Sequence, residues 1–408
     1  MGRRAQKKRR SRSRTAPARA AASPAGNARP ASPAAASAAV TGLGIEAGIV
    51  ANLLIFATLA VARVLHSASS DLYYLAVQED EFLEWATFWA FIAAAAAGAF
   101  ATLRQWRGAR RVPWFLAGVS WFCFLVAMEE ISWGQRVFGY RPPTYFLAEN
   151  FQQELNFHNV MATDLRMLGF KLITLGYGVA LPVLAWVPAI GRLFSRLAIV
   201  APPWLLIPSF LISYLVYEDR PWSFTGEWIE MMLGLGFLFA AIDAIQLFGS
   251  ATRRRRRGSL AWVAVSCLVA LGLAAINTAI TRSQRDVDPV LLDNVQTELD
   301  ALQRDFLAGG KIRSHCNLHK RVFTFMEQYG HDDLLEGEFA ALTARGLAQD
   351  RADFFLDPWN YPYWIRDRCS DDKSRRITVV YSFGPNRIRD STRWEILGDD
   401  VAAFIYKD

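Results

Sequence analysis

Seven runs of apolar residues divide the first two thirds of the chain: 44–65, 82–103, 112–128, 166–188, 197–217, 228–248 and 260–280. Each is near the ~20 residues a helix needs to cross a bilayer. The first six carry few or no charges at their centres. The pattern predicts about seven transmembrane helices. Pro202, Pro203 and Pro208 should bend the fifth or make it begin irregularly, because proline removes a backbone donor. The AAAAAG stretch ending at Gly98 in the second predicts close helix packing through small residues. Beyond residue 281 the pattern changes to short apolar spacings, charges and turn signals. Val290, Leu291, Val295, Leu299, Leu302 and Phe306 recur at helical spacing, so the seventh span should continue as a long helix that Gly309-Gly310 stops. A second helical stretch is expected over roughly 316–349, a strand over RITVVYSFG (376–384), and a strand or helix in VAAFIY at the end.

Composition agrees with a membrane protein: 408 residues, 52% hydrophobic and 13% aromatic, with a mean hydropathy of +0.13. The net charge of +7 belongs to the N-terminal tail. Residues 1–38 hold ten Lys or Arg and no acid, and without them the remainder is −3. This Ala/Pro/Ser/Arg-rich tail has almost nothing to bury and should be disordered. It is a topology anchor rather than a nucleic-acid-binding surface. A cleavable signal peptide does not fit, since the tail is long and the first apolar run can span a bilayer.

The connections alternate in charge. RQWRGARR (104–111), GRLFSR (191–196) and TRRRRR (252–257) follow the even spans and are basic. Segments 66–81, 129–165 and 218–227 follow the odd spans and are acidic and aromatic. Basic connections stay in the cytoplasm. This predicts a bacterial inner-membrane protein in three parts: a cytoplasmic tail (1–40), a seven-span domain (41–282) and an extracytoplasmic α+β domain (283–408).

On that reading the acidic side chains share one face. Segments 79–98 and 225–244 form a weak repeat, each opening with paired acids three apart (Glu81/Glu84 and Glu227/Glu230), a spacing that puts both carboxylates on one helix face. The segment 128–160 adds Glu129, Glu130, Gln135, Arg136, Glu154, His158 and Asn159. We expect an outward-facing cavity lined by Glu81, Glu84, Glu129, Glu130, Gln135, Glu154, His158, Glu227 and Glu230. Ionisable groups near hydrocarbon are costly, which makes function the default hypothesis. Glu129, Glu130, Gln135, Glu154 and His158 are the candidate catalytic residues. Glu130, Glu154 and His158, with His66 nearby, could hold a divalent metal such as Zn or Mn that activates water on a lipid-linked ester or phosphate. A metal-free acid–base pair centred on Glu130 is the alternative. The structural reading pairs Glu129 or Glu130 with Arg136 or Arg141 and packs His158 on Trp133. HExxH, GxSxG and Walker patterns are absent, and so are the three zinc histidines of seven-span hydrolases.

The strings EEISWGQR and NFQQELNFHN resemble those of bacterial multi-span proteins with no assigned activity. The C-terminal segment DPWNYPYWIRDRC…ITVVYSFGPNRIRDSTRWEILGDDV resembles the C-terminal domain of the major pseudopilins of type II secretion. The resemblance rests on Asp357, Pro358, Trp359, Pro362, Tyr363, Tyr381, Ser382, Gly384, Asp399 and Asp400. It implies an α+β domain, a Ca²⁺ loop built from Asp390, Asp399 and Asp400, and a role in assembly. The alternative to an enzyme is therefore an envelope or secretion platform whose outer domain docks a partner. The seventh span lacks a prepilin-peptidase site, so the domain should stay anchored. Cys316 and Cys369 both fall in this domain and can pair in an oxidising compartment. Cys123 and Cys267 lie inside spans and should be buried.

Overall fold

A computed structural model describes residues 41–79, 81–248, 253–283, 288–309, 316–370, 372 and 374–407. The expected disordered tail (1–40), Thr252 and the side chains of 253–257 in the basic TRRRRR run, and the side chain of Arg136 lie outside the described residues.

Helices occur where the apolar runs predict them: α1 (Ile45–Ala68), α3 (Phe82–Ala109), α4 (Trp114–Glu130), α5 (Thr163–Ala185), α6 (Ile207–Asp219), α7 (Thr225–Leu247) and α8 (Arg253–Ser283), and a further short helix, α2 (Ser70–Val77), forms in the connection 66–81. Five stretches are long and apolar enough to cross a membrane: Ile45–Ala68, Ser70–Gly108, Thr163–Ala185, Thr225–Leu247 and Ser259–Ser283. The chain is thus a multi-span membrane protein. The third and fifth runs form helices of 17 and 13 residues, short of that length. The prolines explain the fifth. Pro202 and Pro203 precede a 3-10 turn at Trp204–Leu206, and Pro208 sits in the first turn of α6. Inside α5, Leu172–Ala180 widens into a π-helical turn.

The packing is arranged for lipid. In α7, 89% of the apolar window is buried, against 22% in α1 and 28% in α8. The outer helices turn Leu53, Val61, Trp262 and Leu268 outward. Such an exposed apolar surface would be a liability in water but is a solvated one in a bilayer. At the centre α7 lies against α3, and a Cβ on Gly234 would come 3.0 Å from that of Ala90. Small residues therefore permit this close approach.

The two ends of the bundle differ in charge. At one end Arg111 donates to the carbonyl of Arg196, Arg104 to that of Ile245 (3.4 Å), and Asp243 accepts from the Leu43 N–H (2.8 Å). At the other end lie the acidic connections. The alternation of basic and acidic segments thus corresponds to opposite ends of the bundle.

The C-terminal domain starts afresh instead of extending α8. Asp288 caps α9 (Pro289–Ala308) by accepting from Val290 N–H (2.9 Å), with Pro289 at the first helical position. The helix expected over 316–349 is not continuous. It is replaced by β1 (Asn317–Arg321), α10 (Val322–Tyr329) and shorter turns. β2 (Trp364–Cys369), β3 (Arg376–Ser382) and β4 (Val401–Lys407) complete an antiparallel sheet in the order β1-β2-β3-β4. One sheet face packs on α9 through Ile365, Val380 and Ala403. The other carries Trp364, Val379 and Tyr381.

The DPW segment is a fastening. Asp357 accepts from the N–H groups of Trp359 (3.0 Å) and Tyr361 (2.8 Å) and from Ser382 Oγ (2.6 Å), tying the loop to β3. Gly384 has φ +70°, and a Cβ there would meet the Asp399 carbonyl at 2.2 Å. Cys316 and Cys369 form a disulfide across β1 and β2, 53 residues apart. Cys123 and Cys267 are buried and free.

Closing a loop of that length is worth about 4 kcal/mol in the chain-entropy model. We expect Cys316→Ser to lower the unfolding midpoint of the C-terminal domain in the intact protein under oxidising conditions. Wild type treated with reductant should fall to the same value, read by protease sensitivity of the 288–408 region against temperature.

Candidate functional site

The acidic end of the bundle and the C-terminal domain enclose a cavity of about 940 Å³. Its floor is made by helix ends: Glu84 of α3, Glu129 and Glu130 of α4, and Glu227 and Glu230 of α7. One wall is the loop after α4, with Phe151, Glu154, Asn156 and His158. The other carries Arg166, Tyr217, Arg220 and Trp222. The roof is His319, Lys320 and Arg321 of β1 with Tyr361 and Trp364. The two halves of the acid repeat meet here because α3 and α7 run side by side from this end. Of the residues expected to line the cavity, Glu81 and Gln135 do not. Glu81 pairs with Arg282 at the end of α8, and Gln135 Oε1 accepts from Leu155 N–H (2.7 Å).

The EEISWGQR and NFQQELNFHN segments hold one another. Glu129 Oε1 accepts from Trp133 Nε1 (2.7 Å), and Oε2 accepts from the N–H groups of Phe157 (2.6 Å) and His158 (3.1 Å). Ser132 Oγ donates to Glu154 Oε2 (2.7 Å), and Asn150 Nδ2 donates to the Glu154 carbonyl (2.7 Å). For this the chain turns sharply after α4, with left-handed φ at Ser132 (45°), Trp133 (55°) and Gly134 (82°). Such conformations persist only where the surroundings enforce them. His158 Nδ1 lies 3.4 Å from Glu129 Oε2 rather than packing on Trp133. Burial opposes charging this imidazole, but the hydrogen bond and charge of Glu129 outweigh it and raise the His158 pKa above its ordinary value. Arg141 pairs with Asp350 of the C-terminal domain instead of Glu129 or Glu130.

Glu130, Glu227 and Glu230 differ from these. Among the described residues none of the three is hydrogen-bonded or ion-paired, and each lines the cavity. Sequence reasoning did not find Arg321, which is buried at 5% exposure. Its Nη2 reaches Glu79 Oε1 (2.9 Å) and Oε2 (3.0 Å) and Glu154 Oε1 (3.5 Å), and its Nη1 donates to the Phe151 carbonyl (3.3 Å). Tyr361 OH adds a bond to Glu79 Oε2 (2.9 Å). The guanidinium thus joins β1 to the helix ends and the loop. Arg321 is the last residue of β1, in a stretch whose spacing reads as helix, so the sequence carries no signal of its burial.

The proposed metal ligands do not assemble. Glu154 is committed to Ser132 and Arg321, and His158 to Glu129. Among the described residues no group of three or more His, Cys, Asp or Glu is placed to hold a metal ion. In the expected calcium loop, Asn386 Nδ2 lies between Asp399 Oδ1 (2.7 Å) and Asp390 Oδ2 (3.3 Å), where it donates to both. Asp400 accepts from the N–H groups of Asp390 and Ser391 (3.4 and 2.9 Å). His66 stacks edge-on against Tyr73 (5.1 Å).

Comparison with known proteins finds no matching family model, no matching curated protein and no matching solved structure. The likeness to pseudopilins therefore rests only on the residues quoted for it.

Removing one partner of a buried ion pair costs about 3–5 kcal/mol. Arg321→Met should loosen the C-terminal domain from the bundle, seen as faster proteolysis of 288–408. Adding Glu79→Gln and Glu154→Gln should recover part of the loss. For His158 the sign follows from its raised pKa. Its contribution is full below the ordinary value of 6.5 and is lost as pH rises through the folded value. His158→Gln should flatten the decline of thermal stability with pH in that window. An unchanged slope would remove His158–Glu129 as its cause.

Proposed function

We propose that this protein is a multi-pass enzyme of the bacterial inner membrane, a hydrolase or transferase acting on a lipid-linked or envelope substrate. In this reading the seven apolar runs, the two shorter helices included, all cross the membrane, the tail and basic connections face the cytoplasm, and the cavity and C-terminal domain face outward. The reading is supported by one observation above all: Glu130, Glu227 and Glu230 face the cavity without hydrogen-bonding partners among the described residues. An unfastened carboxyl beside a substrate can take and return a proton, whereas one held by several donors cannot do so cheaply. Glu130 is the proton-transfer group in this scheme, and Glu227 and Glu230 set the electrostatics around it. Glu129 positions His158 at the wall. Arg166, Arg220 and Lys320 give the cavity cations suited to an anionic leaving group or headgroup. The scheme is written with the carboxyl groups alone; among the described residues no group of three or more His, Cys, Asp or Glu is placed to hold a metal ion.

Glu130→Gln keeps the shape and removes the proton transfer. We expect normal accumulation in the membrane, loss of the cellular phenotype, and a turnover reduction on the order of 100-fold or more. Comparing membrane lipids and envelope precursors between wild-type and Glu130→Gln cells should reveal an accumulated substrate. A reporter fused after Asp408 should be active only outside the cytoplasm. If Glu130→Gln and His158→Ala leave the phenotype intact and only loss of 288–408 abolishes it, the protein is an assembly platform instead.

A further inference from the structure

At the sheet face turned away from α9, four arginines (Arg366, Arg368, Arg389 and Arg393) form no ion pair with a carboxylate among the described residues. Alternation along β2 puts Trp364, Arg366 and Arg368 on this face, and the register sets His319 beside Arg366 and Asn317 beside Arg368. Arg366 is 1% exposed. Its Nη1 donates to the Thr392 carbonyl (2.7 Å) and its Cζ lies 5.0 Å from the Tyr381 ring. Its Nε and Nη2 are buried with no hydrogen-bond partner. Arg389, 7% exposed, stacks its Cζ 3.7 Å over Tyr74, and its Nε is likewise unpartnered. Arg368 Nη1 donates to Asn317 Oδ1 (3.2 Å), while its Nε has no partner. Arg393 is exposed beside them.

The contrast within the same domain is sharp. Arg304, Arg321, Arg351 and Arg376 each meet a carboxylate. Asp390, next to Arg389, accepts from Asn386 Nδ2 (3.3 Å), and Glu395 is exposed; two further acids are committed elsewhere. Asp367 falls on the opposite face and holds Arg376 and Thr378, and Asp400 holds backbone N–H groups. Burial, then the charges of Arg393, Arg366 and Arg389, push the Arg368 guanidinium below its ordinary range. Buried charge is normally paired, and unmet buried donors are costly. A counter-anion with several oxygens would answer both deficits, and the planar arginine fork matches the geometry of phosphate as it does that of carboxylate.

The location narrows the source. Arg389 rests on Tyr74 of α2, and Gln78 Nε2 donates to the Arg389 carbonyl (3.2 Å). Helix α2 joins α1 to α3 at the cavity end of the bundle, at the start of the apolar stretch Ser70–Gly108, which on the topology proposed above sets it beside the lipid headgroups. We propose that Arg366, Arg368, Arg389 and Arg393 form a phosphate site at the seam between α2 and the sheet, occupied by the headgroup of an anionic phospholipid. Arg393 and the half-buried Arg368 form its mouth, and Arg366 and Arg389 lie behind them. The site is separate from the carboxylate floor and does not depend on the chemistry proposed there.

The test uses the full chain in nanodiscs of phosphatidylcholine alone, of phosphatidylcholine with phosphatidylglycerol, and of phosphatidylcholine with inorganic phosphate in the buffer. Thermal unfolding is the readout. Phosphatidylglycerol should raise the midpoint in a salt-sensitive way. Arg368→Gln combined with Arg393→Gln should raise the amount of lipid needed for half the effect by about tenfold or more, since each lost charge-assisted bond removes about that much affinity. Arg393→Gln alone, at an exposed position, covers the case in which the double variant does not fold, with a smaller shift in the same direction. Stabilisation by inorganic phosphate to the same extent, lost in the variants, would keep the site and make free phosphate its ligand. No stabilisation by either anion, or variants that respond as wild type does, would overturn the proposal.

Discussion

One buried guanidinium holds the two halves of this molecule in register. Arg321 leaves β1 and enters a pocket between Glu79, Glu154 and the Phe151 carbonyl. Its position is determined by the sheet behind it and the helix ends beneath it. Charges taken out of water this far are tolerated only with good partners on several sides, and here the partners come from two separate stretches of chain, at Glu79 and at 151–154. The roof over the cavity follows from that fit. With β1 pinned, its residues His319, Lys320 and Arg321 line the roof, and Tyr361 donates to Glu79, the carboxylate that Arg321 also meets.

The carboxylates at this end fall into two groups that look alike in the sequence. Glu129 and Glu130 are neighbours, yet one step along a helix turns a side chain by about 100°. Glu129 therefore meets the returning loop and is consumed by its N–H groups, while Glu130 meets the cavity. Glu154 is likewise occupied by Ser132 and Arg321. What first reads as a set of equivalent acids is a scaffold of held carboxylates around a few unheld ones. This also accounts for the failure of the metal constellation, because two of its three ligands are already spent.

How far the fold could be read from residues alone depended on where each force acts. Burial in lipid acts on whole stretches, so the apolar runs located the helices, and the alternation of arginine-rich and acid-rich connections located their ends. The prolines before α6 correctly marked an irregular start. The strand of Arg376–Ser382 was visible in its β-branched run. β1 and β2 were not, since NLHKR and WIRDRC carry arginine, lysine and histidine on faces buried against partners far away in sequence. Hydropathy cannot anticipate a polar face that is covered. The break before α9 depends on one capping aspartate followed by proline, a local signal that the surrounding helical spacing concealed. The π-helical turn in α5 left no trace in composition.

The long sequence distances across the Arg321 junction bear on how the molecule is made. Glu79 and Glu154 emerge from the ribosome 242 and 167 residues ahead of the guanidinium that neutralises them. Until β1 arrives, the loop after α4 has one of its anchors missing and the chamber stands open. The compartment is thus completed only when the last domain docks. Quality control acting on the finished protein would need to sense no more than whether that final docking has taken place.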